Sequence, residues 1–318
     1  MSEPNLIFRF STAGVPLRNN DSATTGFLAG VAAFLIWGLA PLYFNQLQEI
    51  PAAEILSHRS IWSLVLALLS LLILGKLPSL LSTLRDTKKM RMLAMTSALI
   101  GSNWLVFIWA VNNGHLLESS LGYYINPLIS ILLGVLFLGE KLRYLQWLAV
   151  ALAAVGIAHE LWQFGRIPII ALFLASSFAF YGLARKLAPV ESLTGLTVET
   201  LYMLPIALIY LVWSSSPTSN LLNNSWELNS LLILAGPITL IPLLLFTIAA
   251  RRLNLSTVGF LQYIGPSIML GVATQILGEP FGEGKLTTFM FVWIGLALYS
   301  LDALVQRRKL HLQGKATL

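Results

Sequence analysis

Ten long apolar runs, separated by short polar segments, restrict what this chain can fold into. A membrane-spanning helix needs about 20 predominantly apolar residues. Lipid offers no hydrogen-bond partner to a free backbone, so each run is predicted to be helical. Only 11% of the 318 residues are charged, too few for the surface of a soluble protein of this length. The sequence therefore predicts an all-α integral membrane protein with ten transmembrane helices. The runs fall at 25–45, 52–74, 91–112, 117–138, 144–162, 167–185, 193–213, 229–250, 255–277 and 286–306.

The basic residues are divided very unevenly between the two sides of the predicted helices. Arg166 and Lys285 fall on one side, and Arg59 lies within the second run. The other seventeen fall on the side where the first helix begins: Arg9, Arg18, Lys76, Arg85, Lys88, Lys89, Arg91, Lys141, Arg143, Arg185, Lys186, Arg251, Arg252, Arg307, Arg308, Lys309 and Lys315. Because cytoplasmic loops carry the excess of Lys and Arg, both termini are predicted to be cytoplasmic.

The predicted tails are residues 1–24 and the basic segment 307–318. The first tail has no apolar core ending in a small-residue cleavage site, so no cleaved signal is expected. The net charge of +6 does not predict a nucleic-acid partner, because the positive residues sit in short loops between apolar runs.

A motif in the fourth run recurs in the ninth. Tyr124-Ile125-Asn126-Pro127 is matched by Tyr263-Ile264-Gly265-Pro266, and a glutamate follows each proline by 13 residues, at Glu140 and Glu279. A second match joins the first and sixth runs, pairing Phe34 and Trp37 with Phe178 and Tyr181. The chain is therefore predicted to contain two repeats.

The two repeats are residues 25–162 and 167–306, with five helices each. Because five is odd, the second repeat is predicted to enter the membrane inverted relative to the first. Inverted repeats are typical of secondary transporters, whose substrate site lies near mid-membrane at the repeat interface. A duplicated membrane protein of another function stays the alternative.

Six stretches carry a resemblance to a known family. They are FLIWGLAP (34–41), EILSHR (54–59), GSNWLVFIWAVNN (101–113), LGYYINP (121–127), LGE (138–140) and GFLQYIGP (259–266). Together they resemble the RarD branch of the EamA-type drug/metabolite transporter superfamily, over about residues 25–306. The resemblance implies a ten-helix inner-membrane permease for small metabolites or drugs, with export as the expected direction. Members of the branch are often labelled as chloramphenicol resistance or sensitivity proteins, and an amphenicol- or amino-acid-related solute is one expectation.

Charged residues within the predicted helices are the first site candidates, because a charge at mid-membrane costs about 2.5–3.5 kcal/mol. Arg59 is predicted to hold an anionic or carbonyl group, beside Glu54 and His58, which lie one turn apart on one helix face. An internal ion pair between Glu54 and Arg59, or a Glu54 that reaches the interface, is the alternative. Glu54 and Glu199 are the candidates for proton coupling, unless Glu199 is satisfied by neighbouring hydroxyls such as Thr200 or Tyr202.

Two prolines are predicted to break the fourth and ninth helices. Pro127 and Pro266 each remove a backbone donor and free the carbonyl four residues earlier, so such breaks belong beside a cavity or a neighbouring helix. The predicted substrate-binding set adds aromatic and amide residues to Glu54, His58 and Arg59: Trp37, Asn103, Trp104, Tyr124, Asn126, Tyr181, Gln262 and Tyr263. Trp109 is a further aromatic candidate. Glu118 and Glu140 are interpreted as structural residues at helix ends.

Several function classes lack their signature in this sequence. There are no cysteines, no histidine pair at helical spacing and no phosphate-binding glycine loop, so no metal, no cofactor and no ATP drive are expected. The prediction is a secondary active transporter that uses alternating access, with a small-molecule substrate and membrane lipid as its partners. A monomer and a homodimer are both left open. The alternative is an enzyme, channel or receptor built on the same ten-helix scaffold.

Overall fold

Each predicted apolar run is helical in the computed structural model, which describes residues 20–113, 115–276 and 285–316. Ten helical spans there are long and apolar enough to cross a membrane. Glu279 and most of the predicted tail 1–24 lie outside the described ranges. The helices are α1 (Asn20–Phe44), α2 (Ala52–Ile73), α3 (Leu77–Arg85), α4 (Thr87–Asn112), α5 (Leu116–Leu138), α6 (Tyr144–Phe164), α7 (Ile169–Leu187), α8 (Ser192–Trp213), α9 (Trp226–Arg252), α10 (Leu255–Gln262), α11 (Ile264–Gly271) and α12 (Lys285–Ala316).

The ninth span is interrupted, whereas the fourth is continuous. α5 runs through Pro127 without a break, but Tyr263 separates α10 from α11, three residues before Pro266. The two prolines differ in the residue before them, which is Asn126 in α5 and the more flexible Gly265 in the ninth span. The prolines therefore have unequal effects: α5 tolerates its lost donor, and the ninth span does not.

A short helix that the apolar runs did not predict, α3, precedes α4. The chain turns from α3 into α4 at Asp86, whose carboxylate accepts the backbone N–H groups of Lys88 at 3.0 Å and Lys89 at 3.2 Å. These hydrogen bonds, led by the one from Lys89, lower the pKa of Asp86. The acceptor caps the first turn of α4, which begins at Thr87 rather than at the predicted residue 91.

The main helix contacts are related by exchange of the two halves. The contact of α1 with α9 corresponds to that of α7 with α4. In the same way, the contact of α1 with α11 corresponds to that of α7 with α5, and the contact of α2 with α9 corresponds to that of α8 with α4. The pairs α2–α8, α5–α10 and α6–α12 each join equivalent helices. A packing arrangement of this kind is what two copies of one five-helix unit would form.

The fifth and tenth spans, α6 and α12, pack against each other at the edge of the bundle. Their backbones approach closely at small residues: a Cβ built on Gly295 would lie 2.9 Å from the Ala149 carbonyl oxygen. At one end, Arg143 Nε donates to Asp302 Oδ2 at 2.8 Å. This contact between oppositely charged groups raises the pKa of Arg143.

Charged side chains join several helices at one end of the bundle, which we call the basic side. There Lys76 pairs with Glu191, Lys186 donates to the Ala250 carbonyl at 3.1 Å, and Arg251 donates to the Val190 carbonyl at 2.5 Å. The opposite end, which includes the residues between α1 and α2, is called the far side. The basic side is thus held together by one contact between the two halves and by contacts within the second half.

One of the seventeen basic residues is not at the surface of the bundle. Arg185 lies in the last turn of α7 and is completely buried. α7 continues to Leu187, so the side chain stays within the bundle, where Gly195 of α8 leaves room for it. The charge count took Arg185, the last residue of the sixth predicted run, as one of the cytoplasmic basic residues and did not predict its burial.

Candidate functional site

Arg59 projects between helices of both halves in the far half of the bundle. It follows Ala52, the first residue of α2, by seven residues, or about 10 Å along the helix. Its Nε donates to Thr239 Oγ1 of α9 at 2.8 Å. The guanidinium carbon lies 4.8 Å from the ring centroid of Trp104 and 5.7 Å from that of Phe44. The aromatic faces stabilise the cation and fix its plane.

Open space adjoins this guanidinium. Tyr123 of α5 interacts electrostatically with Arg59, although α2 and α5 do not pack extensively against each other. The Tyr123 side chain is 43% exposed, and Arg59 and Trp104 are partly exposed. These partly exposed side chains mark a partly open region that is bordered by α1, α2, α4, α5 and α9, and we call it the Arg59 space.

An aromatic layer joins the two halves near the middle of the bundle, with Tyr181 and Phe246 nearer to the basic ends of α7 and α9. The Trp37 ring centroid lies 5.5 Å from that of Phe34 and 5.9 Å from those of Phe178 and Phe246. Tyr181 stacks on Phe246 at 6.2 Å, and both of these rings are buried. The two repeat-related motifs of the first and sixth runs thus meet at one point, where they form a packed barrier.

Glu199 of α8 lies beneath this layer, among partners from α4 and α7. Its carboxylate accepts the Thr96 hydroxyl at 2.5 Å and the Tyr181 hydroxyl at 3.1 Å, and Arg185 NH1 lies 3.5 Å from Oε1. The hydroxyl partners come from α4 and α7, not from Thr200, whose hydroxyl donates to backbone carbonyls of its own helix. Glu199 is therefore a buried ion-pair partner on the basic side, remote from Arg59.

Glu54 and His58 are buried away from Arg59. Neither Glu54 oxygen nor the Nε2 of His58 has a hydrogen-bond partner among the described residues, and the two side chains interact electrostatically. The alternative of a Glu54–Arg59 ion pair is not realised in this part of the chain. Five residues turn the helix by about 140°, so the two side chains project in different directions.

A second polar group lies where α5 crosses α10. Ser130 donates to Asn126 Oδ1 at 3.3 Å, and Gln262 Nε2 donates to Ser130 Oγ at 3.3 Å. The backbones are close, because a Cβ built on Gly259 would lie 2.8 Å from the Pro127 carbonyl oxygen. This group is buried between the two proline-containing spans.

The remaining candidates serve other contacts. Asn103 links α4 to α7 by donating to the Leu174 carbonyl at 2.8 Å and to Ser177 Oγ at 2.9 Å. Tyr124 packs edge-on against Phe289 of α12, and Tyr263 is buried among apolar side chains of α5, α6 and α7. Trp109 stacks on His115 near the far end of α4.

Glu118 and Glu140 each lie at the end of a helix and accept hydrogen bonds from backbone N–H groups. Glu140 accepts the backbone N–H groups of Leu255 at 2.5 Å and Ser256 at 2.9 Å, so it caps α10. Glu118 accepts the N–H of Ile170 at 2.9 Å and pairs with Arg166, so it caps α7 rather than its own helix. Both carboxylates have structural partners.

Known proteins match this chain over most of its length. A model of the EamA-like transporter family matches residues 24–159. An uncharacterized transporter of Vibrio cholerae serotype O1 is 50% identical over 287 residues, which cover 90% of this chain and 95% of the relative. Protein RarD of Salmonella typhimurium is 52% identical over 285 residues, covering 89% and 97%. The chain belongs to the RarD branch of the EamA-like transporter family.

Other comparisons extend the RarD-branch assignment. The chloramphenicol-sensitive protein RarD of Pseudomonas aeruginosa is 30% identical over 288 residues, covering 89% of this chain and 96% of the relative. A solved crystal structure with 18% sequence identity superposes with a TM-score of 0.68 and covers 90% of this chain and 98% of its own, which supports the fold. This RarD-branch protein is thus a multi-pass membrane transporter.

Several residues of the RarD-branch site were not found from the sequence. Phe44 and Thr239 contact Arg59, Tyr123 borders its space, and Arg185 and Thr96 hold Glu199. Tyr123 had a signal, because it precedes Pro127 by four residues and supplies the carbonyl that the proline frees. No sequence signal pointed to Phe44, Thr239 or Thr96, because each is a single aromatic or hydroxyl residue in an apolar helix.

Proposed function

We propose that this RarD-branch protein is a secondary active transporter that carries a small metabolite or drug across the inner membrane by alternating access. The basic side is cytoplasmic, both termini are cytoplasmic, and export is the direction we propose. The observation that carries the proposal is the Arg59 guanidinium, which belongs to a residue about 10 Å along α2 from its far-side end and lies in a partly open region between helices of both halves. A charge at that depth needs water, a partner or a solute.

The difference between the two sides supports a carrier. The aromatic layer of Trp37, Phe178 and Phe246 lies beneath the Arg59 space, and ionic contacts such as Lys76–Glu191 join the helices on the basic side. Such an arrangement corresponds to an outward-facing state. An inverted second repeat provides the alternative state, because exchange of the conformations of the two halves opens the other side.

A channel is the second candidate, and the packed aromatic layer argues against it. A channel needs a continuous path, whereas Phe246 and Tyr181 are buried where the path would run. The coupling residue we propose is Glu54, because Glu199 is already paired with Arg185. The Glu54 side chain is buried, and its carboxylate oxygens have no hydrogen-bond partner in the described chain.

Alternating access is testable with introduced cysteines, because the chain has none of its own. Tyr123→Cys should react with a membrane-impermeant maleimide from the far side. Ser97→Cys, buried near Glu199, should react only when the basic side opens. In the double variant, a bulky maleimide already attached at position 123 should hold the far side open and stop the reaction at position 97.

Two controls make the cysteine experiment decisive. Leu222→Cys, 92% exposed on a far-side segment, should react at the same rate under all conditions. Each single variant gives the rate expected without coupling. If the label at position 123 leaves the rate at position 97 unchanged, the two sides open independently, and a channel replaces the carrier.

A further inference from the structure

We infer that the solute bound in the Arg59 space is a small organic monoanion, a carboxylate or sulfonate on a flat conjugated body. This rests on the proposed function only in taking the Arg59 space as the solute site. Such a monoanion should bind more tightly than zwitterions, organic cations and neutral molecules. Three features carry this inference: a positive charge without an ion-pair partner among the described residues, aromatic walls, and the burial of Glu54 and Glu199.

The positive charge at Arg59 has no protein counter-ion in residues 20–113, 115–276 and 285–316. The structure forms five ion pairs there, and Arg59 takes part in none of them. Arg185, the other arginine deep in the bundle, is paired with Glu199. An anionic solute would supply the missing counter-charge at Arg59.

The geometry of Arg59 suits a two-point contact with an acid group. Nε is occupied by Thr239, whereas the two terminal nitrogens make no hydrogen bond to described residues and are not buried. Guanidinium nitrogens bind carboxylate and sulfonate oxygens in pairs, with more directional contacts than an ammonium group makes. The fixed Nε leaves the terminal nitrogens directed into the open space.

The walls of the space suit a flat body attached to that acid group. Trp104 and Phe44 lie against the guanidinium, and the exposed ring of Tyr123 faces the same space. The Tyr123 hydroxyl makes no hydrogen bond within the described chain, so it is available to the solute. Aromatic walls with a few polar groups bind planar conjugated molecules by stacking and edge contacts.

Glu54 and Glu199, the two carboxylates within the helices proposed above for coupling, are not available to a solute ammonium group. Glu54 is 0% exposed, and Glu199 is 1% exposed and paired with Arg185 beneath the aromatic layer. An ammonium group in the Arg59 space would meet the like charge of Arg59 without a compensating carboxylate. Zwitterionic and cationic relatives of the same molecule should therefore bind more weakly than the anion.

The test is a binding series on the purified full chain in detergent, read by thermal shift and by tryptophan fluorescence. The probes share one ring: benzoate and benzenesulfonate (anions), phenylalanine (zwitterion), phenethylamine (cation) and benzyl alcohol (neutral), with acetate as the anion that lacks a ring. The anions with a ring should bind at least about tenfold more tightly than every other probe, a difference of about 1.4 kcal/mol.

Matched variants connect this preference to the site. Arg59→Gln should weaken benzoate binding by about tenfold or more, and Arg59→Lys should restore it only in part. Thr239→Ala removes the hydrogen-bond acceptor of Arg59 Nε and should weaken benzoate binding less than Arg59→Gln does. It replaces Arg59→Gln in the test if that variant does not fold. Arg166→Gln, also on the far side but paired with Glu118 and 62% exposed, should leave it unchanged.

The outcomes separate the solute class from the transport proposal. Equal or tighter binding of phenylalanine or phenethylamine would overturn the class, as would unchanged benzoate binding in both Arg59→Gln and Thr239→Ala. Flux of labelled benzenesulfonate into proteoliposomes, a probe that stays ionised and does not cross lipid unaided, tests transport. Arg59-dependent binding without flux would refute the transporter proposal and leave the class intact.

Discussion

Arg185 of α7 and Glu199 of α8 form an ion pair inside the bundle, with NH1 of the one 3.5 Å from Oε1 of the other, and neither side chain is more than 2% exposed. Arg185 NH2 also donates to the Ser192 carbonyl at 3.1 Å, which joins the end of α7 to the start of α8. With Thr96 and Tyr181, the pair links three helices of the two halves beneath the aromatic layer.

Arg185→Met should lower the free energy of unfolding by about 3–5 kcal/mol, because it leaves the Glu199 charge buried without its partner. The double variant Arg185→Met/Glu199→Met should be less destabilised than Arg185→Met alone. Thermal unfolding in detergent measures both. Lys76→Met, which breaks an exposed pair, should cost about 0–1 kcal/mol and is the control. Equal melting temperatures for Arg185→Met and the parent would contradict the prediction.

Gly195 should not tolerate a side chain while Arg185 is present. A Cβ at this position would lie 2.2 Å from Arg185 NH1, so Gly195→Ala should displace the guanidinium and lower the melting temperature. The same substitution in an Arg185→Met background should have a much smaller effect. Gly271→Ala is the control, because a Cβ there meets nothing within 4 Å. Additive effects of positions 185 and 195 would show that the contact is unimportant.

Glu54→Gln should abolish proton movement that depends on the solute, because glutamine has the shape of the protonated acid and cannot release a proton. The measurement uses proteoliposomes with a trapped pH dye and an added benzenesulfonate gradient. Solute binding in detergent should persist in the variant, since Glu54 does not face the Arg59 space. Glu227→Gln, at an exposed helix start, should behave as the parent. A full pH response in Glu54→Gln would exclude Glu54 as the proton carrier.

Glu140→Ala should destabilise the start of α10, because it removes the acceptor of two backbone N–H groups and of the Ser256 hydroxyl at 2.7 Å. Loss of a helix cap costs about 0.5–2 kcal/mol. Hydrogen exchange should become faster at Leu255 and Ser256. Glu49→Ala, in an exposed far-side segment, is the matched acidic control. Unchanged exchange at α10 would show that water replaces the carboxylate without loss.

Topology should be visible in intact cells. Leu222→Cys should react with an impermeant maleimide added outside, because we place the far side in the periplasm. Lys88→Cys, exposed at the start of α4, should react only after permeabilisation. Lys88 is expected in the cytoplasm because basic residues are concentrated on the same side of the bundle, and cytoplasmic loops carry the excess of Lys and Arg. Reaction of both variants from outside, or of Lys88→Cys alone, would contradict cytoplasmic termini.

The ten spans were predictable because a bilayer imposes both a length and an apolar composition on every helix that crosses it. The positions of the helix ends were less predictable from the sequence. Arg185 was predicted at the cytoplasmic end of the sixth run, because a charge normally marks the end of a span. Its burial is explained by its pairing with Glu199 and by the space that Gly195 leaves. The interruption at Tyr263 was predicted from Pro266, but not the continuity of α5 at Pro127.

The candidate site was less predictable than the spans. Arg59 and Trp104 could be singled out from charge and aromaticity, and the structure places them in contact. Tyr124 and Tyr263 could not be assigned to a face, because faces toward lipid and faces toward other helices are equally apolar in a membrane protein. Rotation about the helix axis is set by packing with distant segments, which one sequence does not specify.

The hydrogen bonds from Glu140 to α10 have a consequence for how the protein is made. Glu140 belongs to the first repeat, whereas its partners Leu255 and Ser256 are synthesised more than a hundred residues later. Until then, the carboxylate must be solvated at the membrane surface. The first repeat is therefore synthesised with an unpaired cap residue. Its hydrogen bonds form only when the ninth span has been inserted, because their donors belong to that span.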